Sequence, residues 1–538
     1  MPLHAPFTTL PKTIALAFAV GALFVAAPQF AGAQVTAFKQ AVAETGSRDD
    51  DIATFYRAQG FEAVWTGDTA LHEARRAALL DVLRRAGDHG LPVARYNADA
   101  LARQMAQART PRDLGILEVE MTHMFLSYAR DIQSGALVPG KVINEIKREV
   151  SYTDRAVLMA GFLGAQPTAY LRGLAPRTAE YTALMKQKLL LQEQARNGGW
   201  GPVVSAPSLA PGASGPAVLA LRARLMVMGY LGRSNAQTYD SAMAAAVLDF
   251  QTAHGLEADG VAGAGTLEEI NQSIETRLKS VLVAMERERW LNKKRGERHI
   301  LVNLPDFTAK IVDNGRVTFE TRSVVGATTG GRPTPEFSDE MDHMVINPSW
   351  YVPRSIIVGE YLPALRNNPN AVRHIEITDS RGRVVNRASA NFARYTARTF
   401  PYAMRQPPSA TNALGLVKFM FPNIYNIYLH DTPAKNLFSR EVRAYSHGCI
   451  RLNDPFDFAY ALLAAQEADP EGFFQSTLRT GREARVNLET PVPVHIIYRT
   501  AFTDAQGNLN FRRDIYGRDA VIWDALQKAG VELARVDG

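Results

Sequence analysis

Residues 427–433 read IYLHDTP and residues 445–453 read YSHGCIRLN. The first segment is an apolar and aromatic run, typical of a strand, that reaches a histidine, His430. The second contains Cys449, the single cysteine of the chain. A cysteine reacts as the thiolate, and an ordinary thiol has a pKa near ~8.5, so it needs a base or a cation close by. A histidine held at the end of a strand can serve as that base if the fold returns it to the thiol.

The residues around Cys449 also suit nucleophilic catalysis. His447 and Arg451 place an imidazole and a guanidinium within two positions of the thiol. Gly448 lets the backbone approach a reacting carbonyl closely. The amide of Cys449, with that of Gly448 or a neighbour, can point at a developing oxyanion, where one donor lowers the barrier by about 3 kcal/mol. Together these residues predict acyl transfer through a thioester.

The first half of the chain divides by its periodicity. Residues 45–197 carry apolar residues at helical spacing and no catalytic constellation, which predicts a helical scaffold domain. A Gly-, Pro- and Ser-rich stretch at 198–216 marks a boundary. Residues 209–274 predict a bundle of three short helices, with Thr266 as the cap of the third. A helix within 275–297 is expected to pack back on the scaffold.

The second half has a different period. From residue 298 to 500 the apolar residues alternate, which predicts a mostly-β domain and makes the chain a multidomain α+β protein. Residues 355–411 form a long insertion, typical of a lid or binding loop, and residues 501–538 form a C-terminal extension. The smaller predicted elements are a hairpin turn at Asp313-Asn314-Gly315, a strand at 424–429 and a helix at 455–465 capped by Asp454.

The N-terminal segment predicts export. Lys12 precedes an apolar run of 14 residues at 14–27, shorter than the roughly 18 that a spanning helix needs. The small residues at 31–33 suit cleavage by signal peptidase. Residues 1–33 are therefore predicted to be a signal peptide, with an uncleaved anchor as the alternative. Either form places the remainder outside the cytoplasmic membrane.

Composition excludes several classes of protein. Apolar residues make up 46% of the 538 residues and charged residues 21%, which argues against a disordered chain, a collagen-like fibre or a multispan membrane protein. The net charge of +6 is mild and no basic run with interleaved aromatics occurs, so no nucleic acid is expected as a partner. One cysteine excludes an internal disulfide and a multi-cysteine metal site. We expect neither a metal nor an organic cofactor, and membrane contact only if the N-terminal segment stays uncleaved.

The reactive segment resembles that of the L,D-transpeptidases, whose signature is a histidine, about fifteen residues, and then Ser/Thr-His-Gly-Cys. Here fifteen residues separate His430 from Ser446. The resemblance implies that Cys449 is the nucleophile and His430 the general base. It further implies that His447 shapes the site, that Ser446 and Gly448 build the oxyanion loop, and that Arg451 holds a carboxylate or orients that loop. Tyr428 and Trp350 are candidate walls of the pocket, with packing in the core as the alternative.

The wider arrangement is similar to the large periplasmic branch of that family. Residues 209–274 resemble the peptidoglycan-binding domain of cell-wall hydrolases, through pairs such as Gly229-Tyr230 and Tyr239-Asp240. The resemblance implies a periplasmic enzyme of cell-wall synthesis or remodelling and cell shape. It would cleave the L,D bond before the terminal D-Ala of a tetrapeptide stem and join two third-position residues. Its implied partners are stem peptides and other cell-wall synthesis enzymes, and carbapenems would acylate Cys449.

Three alternatives stay open at this point. His430, His447 and Cys449 are also possible zinc ligands of a metal hydrolase. The chain could be a non-catalytic protein that binds peptidoglycan, or an L,D-carboxypeptidase in which water resolves the thioester. The third member of the catalytic triad is also open, because a backbone carbonyl at residue 431 can hold the imidazole as well as a side chain can.

Overall fold

The structure, a computed structural model, describes residues 36–533, so the predicted signal peptide lies outside the described residues. The first third of the chain is helical, as its periodicity predicts. Its helices are α1 (Ala37–Gly46), α2 (Asp50–Ala58), α3 (Ala70–Arg84), α4 (Val93–Tyr96), α5 (Ala98–Gln107), α6 (Pro111–Ser134), α7 (Pro139–Val142), α8 (Arg155–Leu163), α9 (Pro167–Arg172) and α10 (Ala179–Arg196), with a 3-10 turn at Ala86–His89.

Helix α6 is the spine of this helical part. Its start is set by a capping box, in which Thr110 Oγ1 accepts from the Asp113 amide at 3.1 Å and the Asp113 carboxylate accepts from the Thr110 amide at 3.0 Å. The helix then runs for 24 residues. Around it lies one apolar core, in which Phe162 stacks on Trp65 with ring centroids 4.8 Å apart and on Phe125 at 4.9 Å.

A three-helix unit follows, built from α11 (Pro216–Val227), α12 (Ser241–Ala253) and α13 (Ala264–Ile270) around its own apolar core. The prediction that Thr266 caps the third helix is wrong. Gly263 holds the cap position, and Thr266 lies inside the first turn, where its hydroxyl bonds Gln251 at 3.1 Å. The helix starts earlier because a backbone bridge between Leu209 and Ala262 fixes the chain up to residue 262.

Helix α14 (Ile274–Trp290) is buried almost all round. It packs against α10 and α6 of the helical part and ends before residue 297. Inside it, Glu286 and Arg289 form an ion pair at 2.6 Å with both side chains 0% exposed. Further along, Arg287 bonds Glu336 of the β domain at 2.6 Å with both side chains buried. The helix therefore links the helical part to the sheet through buried charges.

The second half, as far as residue 533, contains fourteen strands: β1 (Arg298–Asn303), β2 (Thr308–Asp313), β3 (Arg316–Gly326), β4 (Phe337–Ile346), β5 (Trp350–Tyr351), β6 (Glu376–Thr378), β7 (Ala403–Gln406), β8 (Val417–Met420), β9 (Leu429–His430), β10 (Ala444–Ser446), β11 (Ile450–Leu452), β12 (Ala484–Ile497), β13 (Ala501–Thr503) and β14 (Leu509–Phe511). Nine of them form one sheet in the order β10-β3-β11-β9-β8-β4-β12-β1-β2. Strand β2 also pairs with β3, which closes eight strands into a ring around an apolar core. Strands β13 and β14 form a separate hairpin.

One predicted turn is confirmed and one predicted strand is wrong. Asn314 and Gly315 take φ of 51° and 78° between β2 and β3, the left-handed geometry that a tight hairpin needs. The strand predicted at 424–429 shrinks to β9. Before it, the Asn423 side chain bonds the amides of residues 425 and 427, and Asn426 has φ of 55°. These asparagines favour a turn, in which side-chain hydrogen bonds replace the backbone hydrogen bonds of a β-ladder.

The insertion folds as a small unit of its own. It starts five residues earlier than the sequence predicts, because β5 pairs with β7, so the insertion is residues 350–411 from here on. It has a three-stranded sheet in the order β5-β7-β6, the helices α15 (Arg354–Ile356) and α16 (Leu362–Asn367), a π-helical turn at Ile357–Tyr361 and a 3-10 turn at Phe392–Arg394. Its core includes Ile356, Leu365, Phe392 and Met404. The sequence predicts an irregular lid, but the segment has a packed interior.

Three helices complete the chain: α17 (Pro455–Leu463), α18 (Pro470–Arg479) and α19 (Arg518–Lys528), with a 3-10 turn at Lys435–Ser439 before them. Helix α17 confirms the predicted helix at 455–465. Asp454 stands at its start, but the carboxylate accepts from the Thr321 hydroxyl at 2.8 Å instead of capping the helix. Helix α18 was not predicted.

Four buried histidines predict loss of stability in acid. Burial lowers the pKa of His89 and His495 to about 4 and that of His430 to about 3, and it holds the pKa of His254 well below the usual value. As the pH falls below ~6.5, the histidines of the unfolded chain take up protons while those of the folded chain stay neutral. Each such histidine then lowers the free energy of unfolding by up to about 1.4 kcal/mol per pH unit. Asp519, whose burial raises its pKa to about 6, acts in the opposite direction.

We therefore expect the melting temperature to fall steadily from pH 7 to pH 4 in thermal scans at constant ionic strength. A melting temperature that is constant or rises over that range would contradict this assignment of the histidines.

Candidate active site

Strand pairing brings the two segments of sequence together. Strands β9 and β11 run parallel, with Leu429 opposite Ile450 and His430 opposite Arg451. Leu429 and Ile450 point into the apolar core and are fully buried. Because side chains alternate along a strand, His430 and Arg451 share the other face, and Cys449, next before Ile450, lies on that face too. The sheet thus places the imidazole, the guanidinium and the thiol on one side.

His430 is held as a neutral imidazole. Its Nδ1 hydrogen-bonds the main-chain oxygen of Asp431, and since a carbonyl can only accept, Nδ1 carries the proton and the lone pair is on Nε2. Burial, and then the charge of Arg451, lower the pKa of His430 to about 3. The Asp431 carboxylate is turned away, to Lys435 Nζ at 2.8 Å and the Leu416 amide at 2.9 Å. The group that orients the imidazole is therefore a backbone carbonyl.

The Cys449 side chain is half-buried, and its surroundings favour the protonated thiol over the thiolate. Burial raises its pKa to about 11, partly offset by hydrogen bonds from Tyr428 and by the charge of Arg451. Its Sγ lies 3.5 Å from the carbonyl oxygen of Asn426 and donates to it. Among the described residues no hydrogen bond joins Sγ to His430, so the thiol and its candidate base are not yet paired in this structure. Such pairs are often loose until a substrate binds.

This state predicts the pH dependence of alkylation. Because only the thiolate reacts and the pKa of the folded thiol is about 11, the alkylation rate with iodoacetamide should rise about tenfold per pH unit from 7 to 10. In the urea-unfolded protein the alkylation rate of the same thiol should become constant above the ordinary pKa near ~8.5. Cys449 is the single cysteine, so the mass of the intact protein reports the reaction directly. A plateau below pH 9 in the folded protein would contradict the burial effect.

The loop before the thiol is braced by two hydroxyls. Ser446 Oγ donates to the Cys449 carbonyl at 2.5 Å and accepts from the Gly448 amide at 3.0 Å. Thr334 Oγ1 donates to the Gly448 carbonyl at 2.7 Å and accepts from the Gly326 amide at 2.9 Å. Gly448 has φ of 118°, which disfavours any side chain there. Since the Gly448 amide already has a partner, an oxyanion in this loop would use the amide of Cys449.

Of the two aromatic candidates, Tyr428 lies beside the thiol and Trp350 lies next to Tyr428. The Tyr428 ring is centred 5.6 Å from that of His430, and burial, then the neighbouring Cys449, raise the pKa of its phenol. Trp350 packs on the core of the insertion, with its ring centred 6.3 Å from that of Tyr361, and its side chain lies next to that of Tyr428. The charge of Arg451 acts on both Cys449 and His430, and the Nε of Arg451 has no hydrogen-bond partner among the described residues.

His447 contacts the insertion, and no hydrogen bond joins it to the thiol or to the His430 ring among the described residues. Its Nε2 lies 2.6 Å from Oε1 of Glu360, in the insertion, and the same oxygen accepts from Arg332 at 2.7 Å. Sequence reasoning assigned no role to Thr334, Glu360 or Asn426. Thr334 lies in the proline-containing run Arg332-Pro333-Thr334-Pro335. Nothing in the sequence pairs Glu360 with a histidine 87 residues later.

Three family models match parts of the chain. Residues 297–494 match the model YkuD, described as "L,D-transpeptidase catalytic domain", and both β9 and β11 lie inside that span. This part of the chain is an L,D-transpeptidase catalytic domain. Residues 50–187 match a "Scaffold domain", and residues 214–270 match a "Putative peptidoglycan binding domain". The expected family and the multidomain α+β fold are thus confirmed, and peptidoglycan-related domains indicate association with the cell wall.

Comparison with individual proteins gives sequence identities of 34% or less. A curated protein of Haemophilus influenzae, named "Putative L,D-transpeptidase", is 34% identical over 241 residues, which are 43% of this chain and 47% of the relative. The chain thus spans about half the length of that relative. An L,D-transpeptidase structure from Xylanimonas cellulosilytica shows 16% identity over 55% of this chain and 98% of its own, with a TM-score of 0.16. One from Stackebrandtia nassauensis shows 14% identity, coverage of 55% and 97%, and a TM-score of 0.21. TM-scores this low support no conclusion.

The zinc alternative finds no ligand set in the described part of the chain. Between residues 36 and 533, no group of three or more His, Cys, Asp or Glu side chains is placed to hold a metal ion. His430, His447 and Cys449 therefore do not form the cluster that the alternative requires.

Within residues 36–533, no helix combines the length and the apolar character needed to cross a membrane.

Proposed function

We propose that the protein is a periplasmic cysteine L,D-transpeptidase that acts on the tetrapeptide stems of peptidoglycan. The observation that carries the proposal is the parallel pairing of β9 and β11, which sets His430 and Cys449 on one face inside the span that matches the catalytic domain. The carbonyl of Asp431 keeps Nε2 of His430 unprotonated, as a general base requires. Cys449 is then the nucleophile and His430 its base.

The reaction follows from these roles. The Cys449 thiol rotates away from Asn426 and gives its proton to His430 Nε2 as the sulfur attacks the carbonyl of the third stem residue. The Cys449 amide stabilises the oxyanion. The C–N bond then breaks, and the imidazolium returns the proton to the amine of the departing D-Ala. In the second half, the side-chain amine of another stem, diaminopimelate in our proposal, loses a proton to His430 and attacks the thioester. The C–S bond breaks and the thiol is restored.

The surrounding residues support this chemistry. Ser446 and Gly448 keep the loop in shape, while Tyr428 and Trp350 wall the pocket beside the thiol. The charge of Arg451 favours the thiolate as it forms, because Arg451 lies two residues after Cys449 on the same face of the sheet. The three-helix unit matched at 214–270 would hold the enzyme on its polymeric substrate.

Purified mature protein and a disaccharide-tetrapeptide provide the test. We expect chromatography with mass spectrometry to show release of D-Ala and a dimer joined through two third-position residues, with no product from Cys449→Ala. A tripeptide without dimer would indicate a carboxypeptidase. Binding to sacculi without turnover would indicate a non-catalytic binding protein, and either result contradicts the proposal.

Carbapenem acylation gives a second expected result. The wild type should gain the mass of one opened carbapenem on the intact protein, and Cys449→Ala should gain none, because the thiol is the acylated atom. Absence of the adduct on folded wild-type protein would count against Cys449 as the nucleophile.

A further inference from the structure

One carboxylate of the insertion reaches the loop that carries the thiol. Glu360 lies on the π-helical turn Ile357–Tyr361, and one of its oxygens accepts from both His447 Nε2 at 2.6 Å and Arg332 Nη2 at 2.7 Å. His447 stands two residues before Cys449. A π-helical turn is rare and is found frequently at functional sites. The contact thus joins the insertion to the mouth of the site.

The contact is too exposed to hold the insertion together. The side chains of Glu360 and Arg332 are both 39% exposed and that of His447 is 36% exposed. Ion pairs at such exposure contribute about 0–1 kcal/mol. The insertion is stabilised instead by its own core, with Leu365 fully buried and Phe392 nearly so. The Glu360 contact can therefore open while the insertion stays folded.

Two cationic or donating groups that converge on one oxygen form a carboxylate site. A guanidinium is the side chain best matched to a carboxylate, and its hydrogen bonds to one are about twice as strong as neutral ones. A tetrapeptide stem that ends in D-Ala carries its terminal carboxylate one residue beyond the bond that Cys449 attacks. This substrate follows from the proposed function, on which the inference rests.

We propose that Arg332 and His447 form the subsite for the terminal carboxylate of the donor stem, and that Glu360 occupies this subsite while the insertion is closed. Arg332 is then a residue that determines specificity for a free carboxylate. Glu360 competes with the substrate, so the empty site is held shut by a group that a proper donor displaces.

Two matched donors test the subsite, a tetrapeptide stem with a free C-terminal carboxylate and the same stem as its carboxamide. Arg332→Gln should lower the ratio of kcat/KM for acid over amide by about tenfold or more, as expected for a lost hydrogen bond to a charged group. Glu360→Gln should raise kcat/KM for the acid by about two- to fivefold, the range of an exposed ion pair, and leave that for the amide nearly unchanged.

The insertion offers matched controls. Arg405 and Glu376 form an ion pair at 3.0 Å with side chains 38% and 40% exposed, so Arg405→Gln and Glu376→Gln remove the same charges at the same exposure. Both should leave the acid-to-amide ratio at the wild-type value. The proposal is overturned if Arg332→Gln lowers kcat/KM equally for the two peptides, or if Glu360→Gln fails to raise it for the acid.

Alkylation gives a readout that does not depend on turnover. Iodoacetate carries a carboxylate and iodoacetamide does not, so the ratio of their rates at Cys449 reports the charge of the subsite. Arg332→Gln should lower this ratio and Glu360→Gln should raise it, while an unchanged ratio in both variants overturns the proposal. Wild-type protein that turns over neither peptide contradicts the proposed function, and the alkylation ratio still decides on the subsite.

Discussion

A His430→Gln variant is expected to form the thioester about 10²- to 10⁴-fold more slowly than the wild type, because a general base contributes that much to a proton-transfer step. Glutamine can still donate to the Asp431 carbonyl, so the variant keeps the contact that Nδ1 makes. It offers no nitrogen that can take the thiol proton. Single-turnover release of D-Ala under excess enzyme measures the step.

His495→Gln is the matched control. His495 is likewise buried, and its Nε2 lies 2.9 Å from the Arg295 carbonyl, but it stands on β12 away from the thiol. We expect its acylation rate to stay within threefold of the wild type. Alkylation of Cys449 at pH 10 should be similar in all three proteins, because hydroxide then replaces the base. A His430→Gln rate within tenfold of the wild type would remove His430 from the mechanism.

Glu286→Ala is expected to lower the free energy of unfolding by about 3–5 kcal/mol, because it leaves the charge of Arg289 buried without its partner. The Glu286 carboxylate also accepts from the Leu137 amide at 2.8 Å and the Trp290 indole at 3.2 Å. Arg289 in turn bonds the Tyr181 hydroxyl at 3.1 Å. The substitution therefore loosens α14 both from the segment that follows α6 and from α10. Urea titration followed by tryptophan fluorescence measures the change.

Glu149→Ala provides the comparison for that loss. Glu149 pairs with Lys293 at 3.1 Å, but its side chain is 87% exposed, so we expect a change of about 0–1 kcal/mol. The double replacement Glu286→Leu with Arg289→Met should recover much of the stability, since apolar groups of similar volume often replace a buried ion pair without cost. Equal losses for Glu286→Ala and Glu149→Ala would show that burial of the pair does not matter.

Much of the site was predictable because it depends on local chemistry. The spacing of His430 and the Ser-His-Gly-Cys run, together with the strand character around each, was enough to predict that they meet. The backbone carbonyl of Asp431 was foreseen as one way to hold the ring. The contacts of Glu360 and Thr334 were not, because they join residues 87 and 114 positions apart through the path of the insertion and of the β3–β4 connection.

The errors in the fold have equally local causes. Residues 424–429 look like a strand by composition, but Asn423 and Asn426 satisfy the backbone differently. Helix α18 was missed although Asp469 and Pro470 give a clear start signal, in which the Asp469 carboxylate accepts from the Gly472 amide at 2.9 Å. The insertion looked irregular because the apolar residues of its core follow no single period along the chain.

The placement of α14 has a consequence for how the molecule is assembled. The three-helix unit is inserted in the chain between α10 and α14. Helices α10 and α14 pack on each other, with Ala195 and Ile274 in one apolar cluster. The first and last residues of the unit therefore lie close together, as in an inserted domain. Another binding domain could replace the three-helix unit during evolution or by engineering, because the packing of α10 against α14 would be kept.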